Sequence, residues 1–258
     1  MHPLPQPGCY AMDLNSSVAA SRLVAQQRAM EVTANNLANA NTPGFKLQRM
    51  QFSDWLSRQR GEGVPPGGRT IAYTQDRATW RDQQAGALSQ TGNTFDLALP
   101  GDGYFTVSTP RGPRLTRDGR FGPMPDGTLT DTAANPVLDT TGQPIRLPPD
   151  ALGVTVSPDG TLSSAATGPL GRIGVVQPND PARMRPEGAT LLDATGPTAP
   201  VAAPAIVQGA LEASNVQPVL ELTKMMNDAR EFQFVSQFLQ AESDRQQSAI
   251  DKILPANG

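Results

Sequence analysis

A helical pattern ends within Val-Thr-Ala-Asn-Asn-Leu-Ala-Asn-Ala-Asn-Thr-Pro-Gly-Phe, residues 32–45 of this chain. Asn39 and Asn41 can end a helix here because asparagine tolerates left-handed backbone angles. Pro43 and Gly44 suit a type II turn, in which proline takes the first central position and glycine accepts a positive φ at the second. The stretch therefore predicts a helix that is followed at once by a tight turn.

The residues before the turn, from about 14 to 40, predict one long helix. Its apolar residues Leu23, Met30 and Leu37 are spaced by seven, which is the period of a coiled-coil seam. A stripe this thin needs a partner helix to bury it. The alternative is an ordinary amphipathic helix that lies on its own domain, as most amphipathic helices do.

A second long helix is predicted near the C-terminus, over about residues 216–253. Apolar residues again occupy heptad positions, with polar interruptions. They include Leu222, Met225, Phe232 and Leu239. Phe234, Val235 and Phe238 lie off that stripe, so the helix has a second apolar surface. A helix that needs contact on two sides suits a tightly packed assembly.

The middle of the chain predicts β structure, because short apolar segments alternate with turn signals between about residues 71 and 176. Four Asp-Gly pairs mark these turns. They are Asp102-Gly103, Asp118-Gly119, Asp126-Gly127 and Asp159-Gly160. Each aspartate stands directly before glycine, which is typical of a turn former and not of a catalytic carboxylate pair. We expect an antiparallel, hairpin-rich domain.

The predicted fold class is α+β, with the two terminal helices pairing as a coiled-coil-like helical domain around a central all-β domain. Five segments are expected along the chain. They are a leader extension at 1–12, the N-terminal helix and turn at 13–45, a linker or loop region at 46–89, the central β domain at 90–207 and the C-terminal helix at 208–258.

Composition excludes several functional classes. The formal net charge of −3 provides no basic surface for nucleic acid, and no run of 18 apolar residues could span a membrane. The chain has one cysteine, Cys9, and one histidine, His2, which excludes an ordinary Cys/His zinc site and a Cys-His or Ser-His-Asp nucleophilic site within one chain. We expect no catalytic residues, no cofactor and no metal.

Several motifs resemble those of the bacterial flagellar rod and hook axial family. Residues 34–46, Ala-Asn-Asn-Leu-Ala-Asn-Ala-Asn-Thr-Pro-Gly-Phe-Lys, resemble its N-terminal signature. Residues 91–105 and 115–129 are similar to its central motifs, and residues 209–216, Gly-Ala-Leu-Glu-Ala-Ser-Asn-Val, resemble its C-terminal motif. Four motifs in the family's order are far more specific than any one alone. In length the chain is closer to the rod members of the family than to the longer hook protein.

The resemblance implies a structural subunit of the basal-body rod, which polymerises through its terminal helices into a torque-transmitting drive shaft in the periplasm. It implies as partners further copies of the chain, other rod subunits and the flagellar type III export apparatus. Export by that route fits residues 1–12, which lack the charged and apolar regions of a cleaved signal peptide. Pro43 is a departure, since many relatives carry threonine there.

Three groups of residues are expected to carry this function. The assembly helices would pack through Leu23, Met30, Leu37, Leu222, Met225, Phe232 and Leu239. The rod signature comprises Asn35, Asn36, Leu37, Asn39, Asn41, Thr42, Pro43, Gly44 and Phe45, whose asparagines would fix the helix end through side-chain bonds to the backbone. The C-terminal motif comprises Leu211, Glu212, Ser214, Asn215 and Val216.

Two alternatives remain at this point. The first is a secreted β-rich binding module or carbohydrate-active enzyme with helical flanks, which would need two carboxylates about 5–10 Å apart in a groove. Such an enzyme has no evident use for two terminal helices with apolar seams. The second is a cytoplasmic coiled-coil scaffold, which the large β insertion disfavours.

Overall fold

A computed structural model describes residues 8–59, 69–149, 153–188 and 190–253 of the chain. The chain divides into two compact units. The helical unit comprises Met1–Leu37, Gln48–Trp80 and Pro218–Gly258, and the β unit comprises Ala38–Leu47 and Arg81–Gln217.

The helical unit contains both long helices that the sequence predicts. Helix α1 spans Gly8–Ala38, and helix α2 spans Pro218–Ile253. The unit also contains two long strands, β1 at Gln48–Gln59 and β2 at Arg69–Arg81, which form a two-stranded sheet. These strands lie in the segment that the sequence suggested as a linker or loop region. The centre of that proposed linker, 60–68, lies outside the described residues.

The predicted coiled-coil pairing of α1 and α2 was wrong. A coiled-coil seam would bury the heptad residues, yet Leu23, Met30 and Leu37 remain partly exposed and Leu222 is 49% exposed. The buried residues of α1 lie on another face, about 100° around the helix from this stripe. They are Ala25, Ala29, Thr33 and Asn36. The heptad stripe is therefore not the buried face of α1.

Two polar contacts join the helices. Asn36 Nδ2 donates a hydrogen bond of 3.1 Å to Glu221 Oε2, and both residues are buried. Nearer the start of α1, Arg22 forms an ion pair with Glu231 that is exposed to solvent. Both contacts use residues of α1 that lie beside the heptad stripe and are not part of it.

The type II turn after α1 was predicted correctly. Phe45 N donates a hydrogen bond of 3.3 Å to Thr42 O, and Gly44 has φ +67°. The asparagines end the helix differently from the prediction, because the non-glycine residues with positive φ in the described part of the chain are Ala134 and Thr195. Instead, Asn39 O accepts a hydrogen bond of 3.1 Å from Thr42 N.

The β unit is built from fifteen short strands and one 3₁₀ turn, Pro181–Arg183, within the described residues. The strands are β3 Leu88–Gln90, β4 Leu97–Ala98, β5 Tyr104–Thr109, β6 Gly112–Thr116, β7 Gly122–Pro123, β8 Leu129–Thr130, β9 Thr155–Val156, β10 Thr161–Ser164, β11 Gly168–Arg172, β12 Val175–Pro178, β13 Arg185–Glu187, β14 Leu191–Asp193, β15 Thr198–Pro200, β16 Val207–Gln208 and β17 Ala210–Glu212. The predicted central β domain is antiparallel, as expected.

The largest sheet of the β unit has the order β13-β14-β6-β5-β12-β15. Its centre is the hairpin of β5 and β6, which pairs Phe105 with Thr116 and Thr109 with Gly112. A second sheet has the order β11-β10-β9. Two small sheets join the last strands of the unit to its first strands. In one sheet β16 pairs with β4, and in the other β17 pairs with β3.

The core of the β unit consists of apolar side chains from these sheets and the loops between them. Phe105, Val107, Val137 and Leu162 are fully buried there. The rings of Phe105 and Phe121 meet edge to face, with centroids 5.2 Å apart and an interplanar angle of 87°. Burial of each such side chain contributes about 1.5–3 kcal/mol to the free energy of folding.

Three of the four Asp-Gly aspartates act as the turn formers that the sequence predicts. Asp118, Asp126 and Asp159 each accept a hydrogen bond from the backbone N–H two residues further along the chain, at 3.0–3.2 Å. The glycines Gly127 and Gly160 have φ values of +80° and +89°. Their carboxylates are therefore explained by local turn geometry.

Candidate functional site

The rod signature and the C-terminal motif meet inside the β unit. Gly44 N donates a hydrogen bond of 2.8 Å to Glu212 O, and Leu47 N donates one of 2.7 Å to Asn215 Oδ1. A small apolar cluster forms beside these bonds. It comprises the buried residues Phe45, Leu47 and Val216, with Ala40 packed against them. Two motifs at opposite ends of the sequence thus form one structure, the signature junction.

Asn215 also fixes the segment that follows β2. Its Nδ2 donates hydrogen bonds of 3.0 Å to Asp82 O and to Gln84 O, while Leu47 O accepts one of 2.9 Å from Asp82 N. The amide side chain of Asn215 is suited to this position because it can donate and accept at once. Three separate stretches of the chain are therefore held together at Asn215.

A buried ion cluster lies within the signature junction. Lys46 Nζ is 2.5 Å from Glu212 Oε1, and Arg117 Nη1 is 3.0 Å from Glu212 Oε2. The three side chains are only 4%, 8% and 1% exposed for Lys46, Arg117 and Glu212 respectively. Gly86 N donates a further hydrogen bond of 3.0 Å to Glu212 Oε1. Glu212 thus connects all three chain segments of the junction.

Backbone carbonyls also accept hydrogen bonds from both cations. Lys46 Nζ donates to Gln84 O at 2.8 Å, and Arg117 donates to Leu99 O at 3.1 Å and to Gly101 O at 2.9 Å. The Arg117 guanidinium also lies over the Tyr104 ring, 5.1 Å from its centroid, at a distance typical of a cation–π contact. These contacts help the buried ion pairs to offset their loss of hydration.

The electrostatics of the cluster keep Glu212 ionised. Burial alone would raise the pKa of Glu212, but the hydrogen bond from Lys46 and the charges of Lys46 and Arg117 bring that pKa below its ordinary value. Burial raises the pKa of the Tyr104 phenol, whose hydroxyl donates a hydrogen bond of 2.7 Å to Gln83 Oε1. At neutral pH the cluster therefore contains a carboxylate and a neutral phenol.

Gly44 is required by this arrangement for two reasons. Its φ of +67° is unfavourable for residues with a Cβ. A Cβ at this position would also lie 2.3 Å from the Arg117 carbonyl carbon and 2.5 Å from Asp118 N, both of which are backbone atoms. The glycine of the signature therefore lets the turn approach the β6 end closely.

In the helical unit, Asn36 is the signature residue with the most complete set of bonds. It is 1% exposed, and it exchanges two hydrogen bonds with the backbone of Gln48, at 2.8 Å and 2.9 Å. Its Nδ2 also donates to Glu221, as described above. Asn36 thus connects α1, the start of β1 and the first turn of α2.

Helix α2 presents large apolar side chains to solvent. We call this set the exposed apolar surface of α2, and it comprises Val219, Leu220, Leu222, Met226, Phe234 and Phe238. Phe234 is 72% exposed and Phe238 is 50% exposed. Both phenylalanines border an open groove of about 390 Å³ in the helical unit, whose other wall includes Val18 and Arg22 of α1.

The structure distributes the predicted site residues over both units. Of the predicted assembly residues, Leu222 belongs to the exposed surface, whereas Met225, Phe232 and Leu239 are partly exposed. The C-terminal motif lies at the signature junction, where Leu211, Glu212 and Val216 are buried and Ser214 and Asn215 are partly exposed.

Sequence reasoning assigned no role to Lys46 or Arg117, although both stand inside quoted motifs. Lys46 is the single cation of residues 34–46, but Arg117 shares residues 115–129 with Arg120, so charge alone does not distinguish the buried arginine from its neighbour. Among the described residues, no group of three or more His, Cys, Asp and Glu side chains could hold a metal ion. No described helix combines the length and apolarity needed to span a membrane.

Three family models match the chain. One described as "Flagella basal body rod protein" matches residues 17–46, and one described as "Flagellar hook protein FlgE/F/G D1 domain" matches residues 98–164. The third, "Flagellar basal body rod FlgEFG protein C-terminal", matches residues 207–252. The first and third matches include the two motifs that meet at the signature junction.

Curated relatives match over almost the whole chain. The flagellar basal-body rod protein FlgF of Caulobacter vibrioides is 37% identical over 244 residues, which cover 94% of this chain and 98% of the relative. FlgF of Mesorhizobium japonicum is 32% identical over 92% of this chain and 96% of the relative. FlgG of Agrobacterium fabrum, also a flagellar basal-body rod protein, is 31% identical over 92% of this chain and 98% of the relative.

Proposed function

We propose, on the premise that this chain belongs to the family of flagellar basal-body rod proteins, that it polymerises through its terminal helices into the torque-transmitting shaft of the rod. The task is mechanical and needs no bound cofactor or chemical step. The partners we propose are further copies of this chain and other rod subunits.

The observation that carries this proposal is the exposed apolar surface of α2. Among residues whose side chains the structure describes, seven of the ten large hydrophobic residues that are exposed lie on α1 or α2. Water-exposed apolar side chains concentrated on two helices are typical of a protein–protein interface. A neighbouring rod subunit would supply helices of the same kind, so each subunit both offers and needs an apolar face.

The two units differ in how completely they bury their large apolar side chains, and this difference supports the same proposal. The β unit has a closed core of its own, whereas α2 leaves Phe234 and Phe238 in water. Burial of each phenylalanine against a neighbour would contribute about 1.5–3 kcal/mol, which offsets the entropy of ordering a terminal helix. We further propose that the chain reaches the periplasm through the flagellar type III exporter.

Incorporation into purified basal bodies tests the proposal. The variants Phe234→Glu and Phe238→Glu would place a charge in the proposed interface. Because both residues are exposed, the substitutions should not destabilise the fold of the free subunit. In a strain that lacks its own copy, we expect at least about a tenfold loss of the variant from isolated basal bodies, since each lost contact exceeds 1.4 kcal/mol. The partly exposed Met30 and Phe232 provide a second pair, as Met30→Glu and Phe232→Glu.

The matched control is Met124→Glu, because Met124 is a large apolar residue of similar exposure, 43%, that lies in the β unit. This variant should incorporate normally. Circular dichroism of each purified variant verifies that the β structure is intact. Normal incorporation of the Phe234 and Phe238 variants would refute assembly through this surface.

A further inference from the structure

A small cavity lies beside the buried ion cluster of the β unit. It has a volume of about 10 Å³, which is room for a single particle of about the size of a water molecule. Its lining is mostly cationic or polar. The lining residues are Gly44, Lys46, Arg81, Tyr104, Arg117, Thr190 and Leu192.

Two donors at this cavity have no partner. Arg117 Nε and Arg81 Nη1 are both buried and form no hydrogen bond, although Arg117 Nη1 and Nη2 bond to Glu212 and to backbone carbonyls. Arg117 is 8% exposed. Buried guanidinium N–H groups without an acceptor are costly, so an acceptor is expected in the space that they border.

The lining of the cavity carries positive charges and no carboxylate. Lys46, Arg81 and Arg117 provide three positive charges at its wall, and Glu212 is the carboxylate that pairs with two of them. No ion pair of the described residues includes Arg81, whose pKa burial lowers from its ordinary value. A water molecule would satisfy the free N–H groups but would leave the charge of Arg81 without a counter-ion.

We propose that the cavity binds one small monovalent anion of halide size, which in solution is chloride. The anion accepts hydrogen bonds from Arg81 and Arg117 and neutralises part of the charge of the cluster. Because Gly44 of the rod signature and Lys46, which follows the signature, line the same cavity, the bound anion stabilises the signature junction. This site goes beyond the proposed assembly function and does not depend on it.

Thermal unfolding of the full chain at constant ionic strength tests this site. Sodium chloride is compared with sodium gluconate, whose anion is too large for the cavity. A ligand that binds only the folded state raises the melting temperature with its concentration. We expect a rise of roughly 5–10 °C once chloride exceeds its dissociation constant about a hundredfold.

The variant Arg81→Gln should lose this chloride-dependent rise, because it retains a polar side chain but lacks the charge. Arg111→Gln is the control, since Arg111 is an arginine of the same unit whose side chain is 74% exposed. A rise that is equal in chloride and gluconate, or equal in the two variants, would overturn the proposal.

A direct measurement covers the case in which Arg81→Gln fails to fold. Crystals of the unaltered chain soaked in bromide should show an anomalous scattering peak between Arg81 and Arg117. A cavity that contains only water, with no anomalous peak, would equally overturn the proposal.

Discussion

The Lys46 ammonium lies 2.5 Å from the Glu212 carboxylate, although 166 positions separate the two residues along the chain. The pair joins the N-terminal signature to the C-terminal motif, and Arg117 from the central hairpin region contacts the same carboxylate. All three residues are buried. The motifs that are far apart in the sequence therefore form a single structural feature of the β unit, and its integrity can be tested residue by residue.

Replacement of Glu212 by glutamine should destabilise the β unit strongly. The variant leaves Lys46 and Arg117 buried without a counter-charge, and removal of one partner from a buried ion pair costs about 3–5 kcal/mol. Urea unfolding of the purified variant measures this change in the free energy of unfolding. Glu187→Gln is the control, because Glu187 pairs with Arg114 nearer the surface and its loss should matter less. Equal losses for the two variants would contradict the prediction.

The contribution of Glu212 to stability should disappear in acid. Its pKa in the folded chain lies below the ordinary value of 4.5, so its contribution is complete above about pH 4.5 and is lost as the pH falls through the folded pKa. Protonated Glu212 resembles glutamine. The difference in unfolding free energy between the unaltered chain and Glu212→Gln should therefore shrink below about pH 4.5. A difference that stays constant down to about pH 3 would show that the charge is not its source.

Gly44→Ala should lower the free energy of unfolding much more than the same substitution at a glycine of positive φ that has open space around it. The new Cβ would meet the backbone of Arg117 and Asp118, and the left-handed φ adds its own cost, for a total of about 2–5 kcal/mol. Gly92→Ala is a closely matched control: Gly92 has φ +73°, but nothing lies within 4 Å of its added Cβ. That variant should lose only about 1–2 kcal/mol. Urea unfolding of the two variants in parallel compares steric contact with backbone strain alone.

Asn36→Asp should loosen the junction of α1, β1 and α2 in the helical unit. The aspartate loses the donor to Gln48 O and places a second carboxylate against Glu221, so about 1–3 kcal/mol of local stability is lost. Hydrogen exchange resolved by peptide should show faster exchange around residues 30–38 and 218–225. Asn35→Asp is the control, because Asn35 is exposed. Unchanged exchange in the Asn36 variant would show that these bonds do not hold the helix ends.

Features set by neighbouring residues could be predicted from the sequence. The type II turn at Pro43 and Gly44 depends on the φ preferences of two adjacent residues, and the turns at Asp126 and Asp159 depend on a bond over two positions. The two long helices follow from the spacing of their apolar residues. In each case the information lies within a few residues of the structure that it specifies.

Features set by distant residues could not be predicted in the same way. The heptad stripe at Leu23, Met30 and Leu37 identified a helix but not its buried face, since that choice depends on which elements pack against the helix. The ion cluster of Lys46 and Glu212 joins stretches that no local pattern connects. The family resemblance identified these motifs by their order in the sequence. The fold shows that the first and last of them are in contact.

The bonds around Leu47, Asp82 and Asn215 join points at which the chain enters and leaves the β unit. The chain enters the β unit, leaves it at Leu47 and re-enters it at Arg81, and the backbone atoms of Leu47 and Asp82 are joined directly at 2.9 Å. Asn215 binds both segments shortly before the chain leaves for the last time. Three of the four points at which the chain crosses the boundary of the β unit are therefore joined by hydrogen bonds, so a force applied to the chain at one of them is shared with the other two.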